Sequence, residues 1–173
     1  MKNYLPTLAL STLLLGASAI PASAGIISYT VTLSGTQSVP ANASTATGSA
    51  IVTVDDVANT VFVSLTFSGL TGGNATAAHI HCCSAITATA PVVLPFTGFV
   101  PGTSGTYTNT FTGVSAANIA GIKAFQAYIN IHDATFPAGE IRGNITPEPA
   151  TLSLLGLGLL AVAGAAARRR RSL

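Results

Sequence analysis

The sequence predicts an all-β protein, a single antiparallel β-sandwich or small Greek-key barrel of about seven strands. Short segments in the middle of the chain alternate apolar and polar residues with a period of two, as half-buried strands do. Breakers fall between these segments at 72–73, 101–102 and 137–139. Many short strands separated by turn signals are typical of antiparallel sandwiches and barrels.

The alternation and the breakers together set the expected strand boundaries. The predicted strands are 29–33, 50–54, 60–67, 76–81, 105–112, 124–132 and 140–145. The second and third of these flank residues 56–59, which predicts a hairpin turn. Residues 115–122 are predicted to form one helical turn. The stretch 84–104 is apolar and rich in threonine, and no strand is predicted there.

The N-terminus carries a targeting pattern. A short basic start precedes an apolar run over residues 5–20, and Ala22 and Ala24 form a small-x-small cleavage site. This order is typical of a secretory signal peptide over residues 1–24, which signal peptidase removes so that the mature chain starts at Gly25. A first transmembrane anchor is the alternative, but the glycine, proline and alanines of the run shorten its apolar span.

The C-terminus carries a second targeting pattern. Three residues form a turn before an uncharged apolar run over residues 150–167, and four arginines follow the run. These residues are Pro147, Glu148, Pro149, Arg168, Arg169, Arg170 and Arg171. Eighteen helical residues span about 27 Å, close to the thickness of a bilayer core, so the run is predicted to be a transmembrane helix. A buried core helix is the alternative, but such a helix would show a polar face.

The order of turn motif, apolar span and basic stop resembles the PEP-CTERM sorting signal of bacterial exported proteins. The resemblance implies processing by a membrane exosortase, anchoring in the inner membrane in transit, and delivery to the cell surface or extracellular matrix. The basic residues are expected on the cytoplasmic side of the membrane. The chain then divides into a signal peptide at 1–24, a domain at 25–146 and a sorting signal at 147–173.

The predicted domain is sparsely charged once both targeting segments are set aside. It has four acidic and two basic residues, a net charge of −2, although the whole chain has a formal charge of +2. The basic patch of a nucleic-acid-binding protein is therefore missing, which excludes nucleic acid as a partner. A surface dominated by threonine, serine, alanine and glycine fits an exported adhesive or matrix protein, with exopolysaccharide as a candidate partner.

Six segments of the predicted domain carry a second resemblance. They are LSGTQSVP (33–40), ATGSA (46–50), LTFSGL (65–70), AAHIH (77–81), YINIH (128–132) and FPAGEIRG (136–143). In this order they resemble the CHRD domain, the module named after chordin, over residues 26–146. The resemblance implies an exported β-sandwich module. The family commonly has Gly-Pro after the His-x-His motif, where this chain has Cys82-Cys83.

The three histidines of the chain are the candidate metal ligands. His79 and His81 are two residues apart on one predicted strand, so their side chains point to the same face. His132 ends a later strand, opposite in parity to the apolar Ile129 and Ile131. All three histidines are therefore expected on the face away from the core. A His-x-His pair with a third histidine is a reasonable ligand set for copper or zinc.

The His-x-His strand is similar to the metal-bearing strand of Cu/Zn superoxide dismutase. This chain lacks the further histidines of that enzyme, which argues against dismutase activity. Glu140 is expected to orient one imidazole of such a site by a hydrogen bond to its ring N–H. The alternative is structural: His79 or His81 forms a hydrogen bond with Glu140 or a loop carbonyl and pins two strands together.

Cys82 and Cys83 are the only cysteines. In an oxidising compartment they are expected to form a vicinal disulfide. The alternatives are free thiols or soft metal ligands, with Cys83 on the histidine face. No cationic side chain lies nearby in sequence to activate a thiolate, and no catalytic triad or carboxylate pair is apparent. The sequence thus favours a non-enzymatic structural or adhesive protein, with a copper- or zinc-binding protein as the alternative.

Overall fold

The computed structural model describes residues 25–147, which form one antiparallel sheet of eight strands. The strands are β1 Ile26–Ser34, β2 Thr47–Asp55, β3 Thr60–Ser68, β4 Ala77–Cys82, β5 Val92–Pro95, β6 Gly105–Phe111, β7 Ala127–His132 and β8 Ile141–Asn144. A short 3-10 helix, Gly35–Gln37, follows β1. One α-helix, α1 (Ala116–Lys123), lies between β6 and β7. The predicted all-β antiparallel fold is confirmed.

Apart from Pro147, the predicted targeting segments lie outside the described residues. The signal peptide with Ala22 and Ala24 precedes them, and Glu148, Pro149, the apolar run and the four arginines follow them. Within residues 25–147, no helix is both long and apolar enough to cross a membrane.

The sheet runs in the order β5-β4-β7-β8-β1-β2-β3-β6 and curls until its two edges approach each other. Phe96, just after β5, stacks on Tyr107 of β6 with ring centroids 4.5 Å apart. One apolar core therefore fills the inside of a nearly closed barrel. Its fully buried members come from most of the strands and include Val52, Val54, Val61, Val63, Ile80, Ile129, Ile131 and Ile141.

The β2–β3 hairpin follows directly from its sequence. Valines at alternate positions of both strands are buried, while most of the outward-facing positions are threonines and serines. At the turn, Asp55 Oδ1 accepts hydrogen bonds from the backbone N–H groups of Val57 and Ala58, at 2.9 and 2.8 Å. Asn59 adopts a positive φ of 55°, which asparagine tolerates better than most residues. The structure has a turn at residues 56–59, as predicted.

Two local predictions were wrong. Residues 92–95 form β5, an eighth strand within the segment for which none was predicted. The later strand begins at Ala127 and not at residue 124, because Phe125 has a positive φ of 61° and lies in the connection that follows α1. The predicted helical turn is the two-turn helix α1, whose N-cap Ser115 accepts a hydrogen bond from the N–H of Asn118.

The outer face of β4, β7 and β8 is not open to solvent. The connection from β4 to β5, residues 83–91 (the strap), contacts this face through residues of β4, β7 and β8. Arg142, which the strap covers, is only 2% exposed, and Asn130, which lies against Gly139 in the loop before β8, is only 3% exposed. The strap and this loop thus cover a polar layer outside the apolar core, and the half-buried histidines lie in it.

Candidate metal centre

The pairing of β4 with β7 brings the three histidines together. In the register of this pair, Ala77 lies opposite His132 and His79 lies opposite Asn130. His81 lies two residues further along β4. The ring centroid of His79 lies 5.4 Å from that of His81 and 4.9 Å from that of His132. One nitrogen from each ring can be chosen so that all three lie within 4.8 Å of one another.

Loop carbonyls fix the orientation of two rings. His81 Nδ1 lies 2.7 Å from the carbonyl oxygen of Ala90, and His132 Nδ1 lies 2.9 Å from that of Pro137. A carbonyl only accepts hydrogen bonds, so both Nδ1 atoms carry the proton and both Nε2 atoms are left as acceptors. Both Nε2 atoms are buried without a hydrogen-bond partner. This arrangement is the one in which protein imidazoles bind metals.

The surroundings favour neutral imidazoles. Burial lowers the pKa of His79 below its usual range, and the neighbouring His132 and His81 lower it further. Burial also lowers the pKa of His132; the hydrogen bond to Pro137 opposes this effect, and His81 reinforces it. A metal binds only the deprotonated ring nitrogen, so both shifts favour metal binding near neutral pH.

The separations suit one small ion after slight movement. Nitrogens bound to zinc at 2.0–2.1 Å in a tetrahedral site lie roughly 3.4 Å apart. The three histidine nitrogens, within 4.8 Å of one another, need only small ring rotations to reach that separation. Within residues 25–147, no cysteine, aspartate or glutamate joins this cluster.

The Glu140 carboxylate, predicted to orient an imidazole, forms its hydrogen bonds with loop residues. Its buried carboxylate accepts hydrogen bonds from the hydroxyl of Ser44, from the N–H and hydroxyl of Thr71, both at 2.7 Å, and from the N–H of Gly72 at 3.2 Å. Burial opposes ionisation of Glu140, but the neighbouring Asp133 carboxyl and the hydrogen bonds from Ser44 and Thr71 outweigh it and lower its pKa to about 2. The Glu140 carboxylate therefore ties loops together.

The two cysteines are joined to each other by a disulfide bond. Cys82 is buried and its sulfur lies under α1, where a side chain at Gly121 would collide with both sulfur atoms. Cys83 is exposed at the start of the strap. With both sulfurs oxidised, neither residue offers a thiolate to a metal ion.

Tyr128 and Arg142 support the site, and the sequence analysis assigned no role to either. The Tyr128 ring stacks on His81 with centroids 4.7 Å apart, and the Arg142 guanidinium carbon lies 3.4 Å from the Tyr128 ring centroid. Arg142 also donates hydrogen bonds to the carbonyls of Ile86 and Ala88, at 2.6 and 3.0 Å. Arg142 is one of only two basic residues in a sparsely charged domain, and this was the one available signal.

Two comparisons identify the parts of the chain. The family model of the CHRD domain matches residues 29–145, and that of the PEP-CTERM protein-sorting motif matches residues 146–171. The sorting motif indicates export and exosortase-mediated sorting to the cell surface. No curated protein matches the chain, and no solved structure matches it. The match to the CHRD model covers well over half of the sequence, and the chain belongs to the CHRD domain family.

Proposed function

We propose that this exported protein binds one copper or zinc ion through His79, His81 and His132. Imidazole nitrogens suit both metals. The observation that carries the proposal is the pair of buried Nε2 atoms of His81 and His132, which have no hydrogen-bond partner although each Nδ1 atom is held by a carbonyl.

The structural alternative explains only half of this arrangement. Histidines that merely pin strands would form the observed bonds to Ala90 and Pro137. They would gain nothing from burying the opposite nitrogen, because an unsatisfied buried polar atom costs about 1–3 kcal/mol. A bound ion would satisfy both Nε2 atoms at once.

Metal analysis of the purified exported protein tests the proposal. After incubation with copper(II) or zinc and removal of free metal, we expect one equivalent per chain. The triple variant His79→Ala/His81→Ala/His132→Ala should retain none, while Asn109→Ala on β6 should bind like the wild type. If the wild-type protein retains neither metal, the histidines only pin the strands.

A second proposal concerns a structural or adhesive role at the cell surface, in contact with exopolysaccharide. The supporting observation is the outer face of β1, β2, β3 and β6, whose strands contain a single charged residue, Asp55. A row of four exposed hydroxyl side chains crosses this face: Thr32, Ser49, Thr66 and Thr106. Uncharged hydroxyls in a fixed array suit a neutral, hydroxyl-rich polymer.

Co-sedimentation with the exopolysaccharide of the exporting cell tests this role. The wild-type protein should sediment with the polymer, and Ser49→Glu/Thr66→Lys, a pair that keeps the net charge, should not. A variant with the same two charges elsewhere on the surface, Ala43→Glu/Thr45→Lys, should still sediment. Equal sedimentation of all three proteins would refute adhesion through this face.

A further inference from the structure

The proposed ion would have three protein ligands and no fourth. Within the described residues the cluster contains only histidines, and both cysteines are held in the disulfide. The Glu140 carboxylate is occupied by its own donors. Metal sites with three protein ligands keep a further position for water or another small ligand.

A cleft of about 230 Å³ adjoins the cluster beside β4 and β5. His79 lines it directly. Ala77 also lines it, and Ala77 is the cross-strand partner of His132. Phe96 and Phe99 form aromatic walls of the cleft. The cleft is smaller than the pockets that hold drug-sized ligands, so it suits a molecule of a few atoms.

The charges around the site favour an anion. Three metal-bound imidazoles leave the charge of the ion uncompensated, and within the described residues no carboxylate belongs to the cluster. Arg142 is buried behind Tyr128, and its hydrogen bonds go to two carbonyls and to the side-chain oxygen of Asn144 rather than to a carboxylate. A small anion would lower the electrostatic cost of this arrangement.

We propose that the metal ion takes one small monodentate inorganic anion as an exchangeable ligand, and that the anion enters through the cleft lined by Ala77 and His79. This inference rests on the proposed metal site. It assigns that site a ligand class and an entrance.

Cobalt(II) spectroscopy separates the two proposals. Azide, titrated into the cobalt-loaded exported protein, should change the visible cobalt bands with saturation at one equivalent per site. Ala77→Ile adds three carbons at the entrance, so it should slow azide association, measured by rapid mixing, by roughly tenfold or more. It should leave cobalt affinity unchanged. Thr30→Ile, on the exposed face of β1, is the matched control and should bind azide like the wild type.

Each outcome bears on a different claim. No uptake of cobalt, copper or zinc would contradict the metal site itself. Cobalt uptake with bands that do not respond to azide would overturn the anion ligand and leave the metal site intact. Equal azide association rates in Ala77→Ile and the wild type would overturn the cleft as the entrance.

Discussion

Asn130 is placed where it could orient the third ring, that of His79, on metal binding. It lies opposite His79 across the β4–β7 pair, and it is buried. Asn130 Oδ1 and His79 Nδ1 are both buried without a hydrogen-bond partner. Burial lowers the pKa of His79, and the Asn130 side chain partly offsets that shift, as an acceptor facing the ring would. A small rotation on metal binding would let His79 Nδ1–H donate to Asn130, so that each ring presents Nε2 to the ion.

Replacement of Asn130 tests this role. Asn130→Leu should weaken zinc affinity by about 10- to 100-fold, the usual effect of losing a hydrogen bond that orients a metal-bound histidine. Competition with a chromophoric chelator measures the affinity. Asn109→Leu, half-buried on β6, is the matched control. In the cobalt protein, one of three exchangeable imidazole N–H proton resonances should be lost in Asn130→Leu. Unchanged zinc affinity and three remaining N–H resonances would contradict the role assigned to Asn130.

The buried histidines also predict how metal-free protein responds to pH. Burial lowers the pKa values of His79 and His132 in the folded state, while in the unfolded chain both titrate near 6.5. Below about pH 6.5 the unfolded state binds more protons than the folded state, so the free energy of unfolding falls as the pH falls. Guanidinium unfolding at pH 7.5 and 5.5 measures the loss. The double variant His79→Gln/His132→Gln should lose less stability over this interval. An equal loss would contradict the assignment of the pH dependence to these two histidines.

Strand parity predicted the face that carries the histidines, because side chains alternate strictly along β4 and β7. It could not predict their hydrogen-bond partners. Ala90 and Pro137 act through backbone carbonyls, which every residue has, and the paths of their loops leave no periodic trace in the sequence. Glu140 lies just outside β8, and its carboxylate contacts loops whose paths the sequence does not show.

At the scale of elements, strands with strong alternation were predictable and short or interrupted ones were not. β2 and β3 are nine residues each and alternate throughout. β5 has four residues between Pro91 and Phe96 and ends in Pro95, which makes it resemble a loop. Phe125 matched the apolar parity of β7, but the chain leaves α1 through a positive φ at this residue before the strand begins.

The strap is the element on which the site depends, and Arg142 anchors it. Arg142→Leu removes the hydrogen bonds to the carbonyls of Ile86 and Ala88. We expect the amides of Ala88 and Ala90 to exchange hydrogen at least about tenfold faster, because local opening of the strap becomes easier. Hydrogen-exchange mass spectrometry of the strap peptide checks this. Lys123→Leu, which breaks the ion pair with Asp56, should leave the strap unchanged.

The disulfide at the end of β4 sets the start of the strap. The exported protein should show no thiol that iodoacetamide can alkylate without prior reduction, and it should migrate as a monomer on a non-reducing denaturing gel. Two alkylated thiols would refute the bond and return the cysteines to the set of candidate metal ligands. A disulfide-linked dimer would point to cross-linking between chains instead.

On the scale of the whole molecule, the N-terminal end of the described domain fits the predicted processing. The backbone N–H of Gly25 donates to Asp56 Oδ1 at 2.7 Å, and Lys123 pairs with the other oxygen of the same carboxylate. Hydrogen bonds from Lys123 and then from Gly25 lower the pKa of Asp56. Cleavage after Ala24 would turn the Gly25 nitrogen into an ammonium group facing this carboxylate. The folded domain therefore has a place for the new terminus.

The last prediction concerns both ends of the chain. If signal peptidase cuts after Ala24 and exosortase removes the C-terminal span, the intact mass of protein recovered from the cell surface should lack residues 1–24 and the apolar run. A variant with alanine in place of Pro147 and Pro149 loses the motif on which sorting depends and should keep the apolar run and stay with the membrane. If wild-type protein at the cell surface still carries the full C-terminus, the predicted removal of the apolar run is wrong. The prediction of membrane anchoring would still stand. If the mature chain starts at a residue other than Gly25, the signal peptide is cleaved elsewhere. In that case no ammonium group of Gly25 faces the Asp56 carboxylate.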